Sequence, residues 1–199
     1  MTEPHQQDNA ERKRVLRRRL RQARRALSRH QQRRASHAIV QRLCRLPAVI
    51  RARSIALYWP NDGEVDTREL VRCLPGKCFY LPVLPASART QMQFLPWQGQ
   101  VLRYANHYAI PEPTMGPAIE PLKLDLVLMP LVGFDPLGAR LGMGGGFYDR
   151  TFARLHRLPG AGPALIGIAH ELQKVDALPT ESWDIPLAGI VTEQRYYPA

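Results

Sequence analysis

The sequence predicts an α/β fold, with one domain built on a mostly parallel sheet, helices on both faces, Rossmann-like in kind. Three observations lead there. Asp125-Leu-Val-Leu-Met-Pro130 and Ala164-Leu-Ile-Gly-Ile-Ala169 are short, almost continuously apolar runs, as strands covered on both faces are. Segments with helical periodicity alternate with such strands along the chain. A length of 199 residues, 45% hydrophobic, suffices for one sizeable core and is short for two.

Residues 1–10 are polar and expected to be disordered, leaving 11–199 as the single domain. From about Glu11 the pattern is helical, with Leu16, Leu20, Ala23 and Leu27 forming one apolar stripe and Arg17, Arg18, Arg19, Arg21, Arg24 and Arg25 filling the other faces. Ser28, followed three residues later by Gln31, fits a capping box. It starts a second helix that buries Ala35, Ile39, Leu43 and Leu46 and ends at Pro47. Ser54–Trp59 is the first strand. Pro60-Asn-Asp-Gly63 breaks it, and Glu64 to Leu70 opens a helix running to about Leu74. Pro75-Gly76 turns the chain into Cys78–Leu84, a strand whose internal Pro82 argues for an edge or an irregular end. Gln91–Leu95 alternates as a short strand, and the proline-rich stretch from Trp97 to about Leu122 offers no element, with Ile110–Pro113 an extended loop. After the core strand at Asp125–Pro130 comes a glycine loop, then a helix from Phe147 to about Leu158 that stops before Pro159-Gly160. Ala164–Ala169 ends at His170, where a lone histidine reads as structural. A loop holding Trp183–Pro186 leads to Gly189–Thr192, the last strand.

Composition narrows the function. No apolar run is long enough to span a bilayer and the first ten residues are polar, so neither a span nor a signal peptide is expected. Cys44, Cys73 and Cys78 lack metal-ligand spacing and read as buried free thiols in a reduced, cytoplasmic compartment. The formal charge is +11, but residues 1–34 hold twelve Lys or Arg against three Asp or Glu, so the body is nearly neutral. Three readings of the basic segment compete: a solvated helix face, a nucleic-acid surface, or cations reaching into the body toward a polyphosphate. Base-reading residues are nearly absent from it, which disfavours nucleic acid. Lys13 and Arg17, four residues apart, share a helix face and suit the third reading.

The stretch Arg140-Leu-Gly-Met-Gly-Gly-Gly-Phe-Tyr-Asp-Arg150 concentrates the chemistry. Strand, glycine loop and helix bring bare backbone amides to a helix start, where an anion is favoured. A dinucleotide fingerprint fails because Phe147 stands where a glycine is needed, and a P-loop fails for want of Gly-Lys-Ser/Thr. The loop also gathers two arginines, a phenol and a carboxylate, more than a simple turn requires. Glu64 at a strand-to-helix junction suits either a ligand, as at open α/β sheets, or merely the helix dipole.

With its companions, this signature resembles the 5-formyltetrahydrofolate cyclo-ligase family, also called 5,10-methenyltetrahydrofolate synthetase. The companions are Lys13 and Arg17 on a helix ending in Leu27-Ser28, Glu64-x-Asp-Thr67, Ile110-Pro-Glu-Pro113, Asp125–Pro130 followed by Gly133-Phe-Asp135, and Trp183-Asp-Ile-Pro186. They run in the family's order from about residue 13 to 192. The resemblance implies ATP- and magnesium-dependent cyclisation of 5-formyltetrahydrofolate to 5,10-methenyltetrahydrofolate, with release of ADP and phosphate, through a phosphorylated formyl group (an imidoyl phosphate). This is one-carbon metabolism in the cytoplasm, performed by a monomer on a small and possibly polyglutamylated folate.

By the same resemblance, Arg140, Tyr148 and Asp149 are catalytic. Lys13, Arg17, Arg140, Leu141, Gly142, Met143, Gly144, Gly145, Gly146, Phe147 and Tyr148 bind ATP. Trp59, Glu64 and Met143, Gly144, Gly145, Gly146 and Phe147 line the folate site, with Glu64 suited to the amino-pyrimidinone edge of the pterin. Asp149 and Asp184 hold magnesium, which prefers hard carboxylate oxygens and keeps several waters. Other members carry basic residues where this chain has Met143 and Gly145, so more of the charge falls to Arg140, Lys13 and Arg17. The alternatives are a nucleic-acid-binding protein using the arginine-rich helix, another nucleotide-binding protein sharing only the loop, and a relative without activity that keeps a folate-binding or regulatory role.

Overall fold

The structure is a computed structural model that describes residues 4–85, 91–156 and 160–199. In chain order its helices are α1 (Pro4–Arg25), α2 (Arg29–Leu43), α3 (Pro47–Arg51), α4 (Leu70–Cys73) and α5 (Phe147–Phe152). The strands are β1 (Ser54–Ala56), β2 (Cys78–Val83), β3 (Gln93–Pro96), β4 (Tyr104–Ala105), β5 (Pro111–Glu112), β6 (Leu126–Pro130), β7 (Gly133–Phe134), β8 (Arg140–Leu141), β9 (Ala164–Ile168), β10 (Gly189–Val191) and β11 (Tyr196–Pro198).

One seven-stranded sheet in the order β11-β10-β9-β6-β1-β2-β3 organises the chain. The pairs from β2 through β1, β6 and β9 to β10 are parallel, while β3 and β11 close the two edges antiparallel. The apolar run at Leu126–Pro130 is the central strand. Successive residues serve opposite faces, as the pleat requires. Ile55, Leu57, Leu126, Leu128, Ile166, Ile168 and Val191 pack under α2, α3 and α4 through Ile39, Leu43, Val49 and Leu70. Ala56, Val127, Met129, Leu165 and Ile190 pack on the other face with Phe94, Phe134 and α5's Phe152.

Several elements depart from the sequence expectation, and of the thiols expected to be buried Cys73 and Cys78 are exposed and Cys44 is half-buried. α1 starts at Pro4 rather than about Glu11; proline suits a first helical turn, where its missing N–H leaves no bond unmade. The expected disorder of residues 1–3 lies outside the described residues. α2 has both halves of its Ser28/Gln31 capping box but ends at Leu43, and Pro47 begins α3 instead of closing α2. The expected helix at Glu64 opens only at Leu70, because Asp66 turns the chain by accepting the Arg68 N–H. Pro82 lies beyond the last residue paired with β1, so the missing N–H costs β2 no bond there.

Between β6 and the glycine loop the chain inserts an unforeseen hairpin, β7–β8. Buried Asp135 builds its turn, accepting the N–H groups of Leu137 and Ala139, while Gly138 supplies φ +90°. α5 gives way after six residues to a 3-10 turn, Ala153–His156. The stop expected before Pro159 lies outside the described residues. β4–β5 is a two-stranded ribbon within the proline-rich stretch, and β11 follows the strand expected to be last.

α1 lies across the hairpin: Leu20 packs with Val132, Leu141 and Leu178, and a Cβ on Gly133 would stand 2.6 Å from Leu20 Cδ1. Among the described residues no helix is long and apolar enough to cross a membrane.

Candidate functional site

From β1 the chain leads to β2 on one side of the sheet, and it later returns as β6 on β1's other side. Loops leaving the C-terminal ends of β1 and β6 therefore part in opposite directions, which opens a crevice where open α/β sheets bind ligands. α1 spans that crevice and brings side chains to both lips. The inward-facing positions of α1 are Lys13, Leu16, Arg17, Leu20, Arg21 and Arg24, with Leu27 just beyond its end, whereas Ala23 is exposed, contrary to the expected stripe.

On the β6 side, the hairpin delivers Arg140 and the glycine loop. Arg17 Nε donates to the Gly142 carbonyl at 2.8 Å. Its guanidinium carbon is 3.7 Å from where a Cβ on Gly144 would stand, and Gly144 has φ +102°. Burial pushes the Arg17 guanidinium down and the nearby Asp184 carboxylate partly restores it. Arg140 donates to Asp149 through Nη2, while its buried Nε has no partner among the described residues. The Ile185 N–H also reaches Asp149 Oδ1, at 3.3 Å. Lys13 Nζ lies 3.4 Å from Asp184 Oδ2 and 3.6 Å from Glu181 Oε1. The two carboxylates expected to hold a metal are thus each already matched with a cation. Among the described residues no group of three or more His, Cys, Asp or Glu gathers at a metal-binding spacing.

On the β1 side, Asn61–Gly63 makes a left-handed turn, with Asp62 at φ 54° and Gly63 at φ 77°. Asp62 accepts from Arg21 at 2.8 Å, from Arg24 at 2.7 Å and from Arg25. Burial opposes its ionisation, but these arginines hold its carboxyl below the ordinary range. Arg24 is 1% exposed and also donates to the Asp62 carbonyl at 2.9 Å and the Leu131 carbonyl at 3.2 Å. It joins the loop after β1 to the loop after β6. Its Nη1 stands 3.9 Å from Glu64 Oε1.

Burial pushes the Glu64 carboxyl up to about 7 despite Arg24 and the Asn61 N–H that donates to it. Burial and the neighbouring Glu64 carboxylate push the Tyr148 phenol up, with Arg140 opposing, so Glu64, Tyr148 and Arg140 share one electrostatic environment. Behind them His170, buried, meets the Gly63 carbonyl through Nε2 at 3.1 Å and leaves Nδ1 unpartnered among the described residues.

Most residues singled out from sequence converge, with three qualifications. Leu141 turns its side chain into the core under α1. Trp59 meets Trp97 edge-on at 5.8 Å, and the Arg68 guanidinium covers its ring at 4.3 Å. Met143 is exposed, and Phe147 meets Tyr108 edge-on at 6.5 Å. The sequence reading missed Arg24 and Asp62, and noted Arg150 beside the loop without giving it a role. Arg24 lies seven residues after Arg17 on one helical face, and that spacing was the available signal.

The glycine loop leaves no room for side chains. Gly144 and Gly146 have positive φ, and Cβ atoms on Gly145 and Gly146 would stand 2.9 Å from the Phe147 ring and 2.6 Å from Arg150 Nη1. Bare amides, three arginines and buried unpartnered guanidinium N–H groups make a cradle suited to phosphate oxygens.

Comparison with known proteins gives a consistent answer. The sequence profile of the 5-formyltetrahydrofolate cyclo-ligase family matches residues 9–193. The chain is 39% identical over 182 residues to the 5-formyltetrahydrofolate cyclo-ligase of Escherichia coli, covering 89% of this chain and 98% of that protein. It is 37% identical over 187 residues to the enzyme of the same name from Haemophilus influenzae, covering 92% and 98%. The solution structure of Aquifex aeolicus 5,10-methenyltetrahydrofolate synthetase superposes with a TM-score of 0.79 at 32% identity, covering 94% of this chain and 92% of that one. The 5,10-methenyltetrahydrofolate synthetase from Mycoplasma pneumoniae superposes at 0.70 and 30%, covering 91% and 98%.

Proposed function

The chain belongs to the 5-formyltetrahydrofolate cyclo-ligase family and is an enzyme of that kind, and from this premise we propose that it closes 5-formyltetrahydrofolate to 5,10-methenyltetrahydrofolate at the expense of ATP and with magnesium. The observation that carries the reading is the span of α1, which sets Arg17 against the glycine loop, Lys13 against Asp184 and Arg24 against Glu64.

A formamide carbonyl is a poor electrophile and its oxygen a poor leaving group. Transfer of the γ-phosphoryl group of ATP to the formyl oxygen gives an imidoyl phosphate and ADP. The second folate nitrogen then attacks the formyl carbon, and the C–O bond breaks to release phosphate. Little covalent help is needed from the protein. In-line positioning, charge neutralisation and exclusion of water carry such a reaction.

Lys13, Arg17, Arg140 and the loop from Leu141 to Tyr148 take the nucleotide phosphates, with Arg140, Tyr148 and Asp149 nearest the transferred group. Glu64 and the loop from Met143 to Phe147 take the folate, with Trp59 at its edge. A buried carboxyl near neutrality can accept or donate toward the pterin amide and amine. Asp149 and Asp184 are the residues that would hold magnesium, which would supply charge neutralisation at the transferred phosphoryl group. Arg140 and Lys13, which those carboxylates now hold, stand beside the same place. The enzyme works as a cytosolic monomer on mono- or polyglutamylated folate.

Absorbance at the methenyl band, at mildly acidic pH, tests the reading with purified chain, 5-formyltetrahydrofolate and ATP. A rise that requires both ATP and magnesium is expected. No rise from folded protein would overturn the proposal and turn attention to the arginine-rich helix.

A further inference from the structure

We propose that Arg150 is a further nucleotide-binding residue, contacting the terminal phosphates at the glycine loop from the α5 side. The assignment rests on the nucleotide reading above and extends it to a residue outside the expected set.

The loop is poor in charge of its own. Met143 and Gly145, both exposed on the loop, carry no charge. Arg150 reaches this spot from the first turn of α5. Its side chain runs back over the Phe147 ring, with Cζ 5.2 Å from the centroid, and its Nη2 donates to the Gly145 carbonyl at 2.7 Å. Nη1 lies 2.6 Å from where a Cβ on Gly146 would stand, so the absence of a side chain at 146 makes room for the guanidinium.

The other cations of the loop are engaged by carboxylates: Arg140 by Asp149, and Lys13 by Asp184 and Glu181. Arg17 is engaged by the Gly142 carbonyl at 2.8 Å. Arg150 makes no ion pair among the described residues, and its buried Nε has no hydrogen-bond partner there. A guanidinium offers five N–H donors in a planar fork matched to phosphate oxygens. One of those donors is used on the Gly145 carbonyl, and that bond holds the rest of the fork at the loop. A buried N–H left without an acceptor is costly, and an anion oxygen at the loop removes that cost. Arg150 thus brings to position 145, through space, the charge that position lacks in sequence.

The rival explanation is a clamp that merely fixes the loop, and Arg150→Gln separates the two. Glutamine retains an N–H donor for the Gly145 carbonyl but carries no charge. Binding of ATP and of inorganic tripolyphosphate to the full chain is measured by calorimetry, with thermal melting as the control for folding. Arg150→Gln is expected to weaken both ligands at least tenfold and Arg150→Lys to retain most of the affinity. Met143→Lys, placed at an exposed loop position, should restore binding in the Arg150→Gln background, which a lost clamp would not allow. Wild-type affinity in Arg150→Gln overturns the assignment. So does a loss that Met143→Lys leaves unrestored. A wild-type chain that binds neither ATP nor tripolyphosphate overturns the nucleotide reading and this assignment with it.

Discussion

Replacing Glu64 with Gln removes a carboxyl that burial pushes up to about 7 from its ordinary 4.5, and the pH dependence of stability should change with it. Between those two values the folded chain keeps a proton on Glu64 that the unfolded chain has released, so stability falls as pH rises through the window. Each pH unit of such a difference is worth about 1.4 kcal/mol. The full loss is therefore about 3 kcal/mol, complete once the pH has passed the folded-state value. Glutamine carries no charge at any pH, so the substituted chain should lack this fall. At pH 8 it should exceed the wild type by up to ~3 kcal/mol, and near pH 4.5 the two should converge.

For a chain of this size 1 kcal/mol moves the melting midpoint by ~2–4 °C, which makes the gap at pH 8 roughly 6–12 °C. Circular dichroism melts of both proteins from pH 4.5 to 8 would measure it. His170, which burial pushes down, titrates in both chains and cancels in the difference. Parallel curves across the range would refute the reasoning: Glu64 would then be ionised and well solvated, and Arg24 at 3.9 Å would be compensating it fully.

Three other perturbations address the rest of the site. Arg17→Ala, which removes the donor to the Gly142 carbonyl, should raise the apparent KM for ATP tenfold or more in steady-state kinetics. An unchanged KM would exclude Arg17 from the phosphates. Asp149→Asn should abolish most magnesium-dependent turnover, and near-normal activity would leave Asp149 only as the partner of Arg140. Asp62→Asn leaves buried Arg24 without its carboxylate and should cost about 3–5 kcal/mol in urea unfolding, the range for breaking a buried pair from one side. A loss within the surface-pair range of about 1 kcal/mol would show that water already screens the cluster.

The sheet was legible because its central strands are apolar on both faces, a pattern that Leu126–Pro130 and Ala164–Ile168 display. Short elements were not. The β7–β8 hairpin is two residues on a side and is made by Asp135's side-chain bonds, which leave no periodic trace. The helix expected at Glu64 failed because local polar bonds, Asp66 to the Arg68 N–H and Glu64 to the Asn61 N–H, satisfied the backbone in another way. The expected α1 stripe placed Ala23 inward by hydrophobicity alone. The structure chose Arg24, because a buried acceptor set of Asp62 and Leu131 outweighs what an alanine gains there. The convergence of Lys13, Arg17, Arg140 and Asp149 followed from the resemblance; periodicity carried no sign that residue 13 meets residue 184.

That meeting has a consequence for synthesis. α1 leaves the ribosome well before these partners: Arg24 waits for Leu131, Arg17 for Gly142 and Lys13 for Asp184, separations of 107, 125 and 171 residues. At translation speeds of about 5–20 residues per second, the last delay is roughly 10–30 s. Throughout that time Lys13 is without the Asp184 carboxylate, although Asp62 follows Arg21, Arg24 and Arg25 by only 41, 38 and 37 residues. The sheet can nucleate from β1, β2 and β6 meanwhile, but closure of α1 over the crevice belongs to the end of folding, when these long stretches of chain are drawn shut.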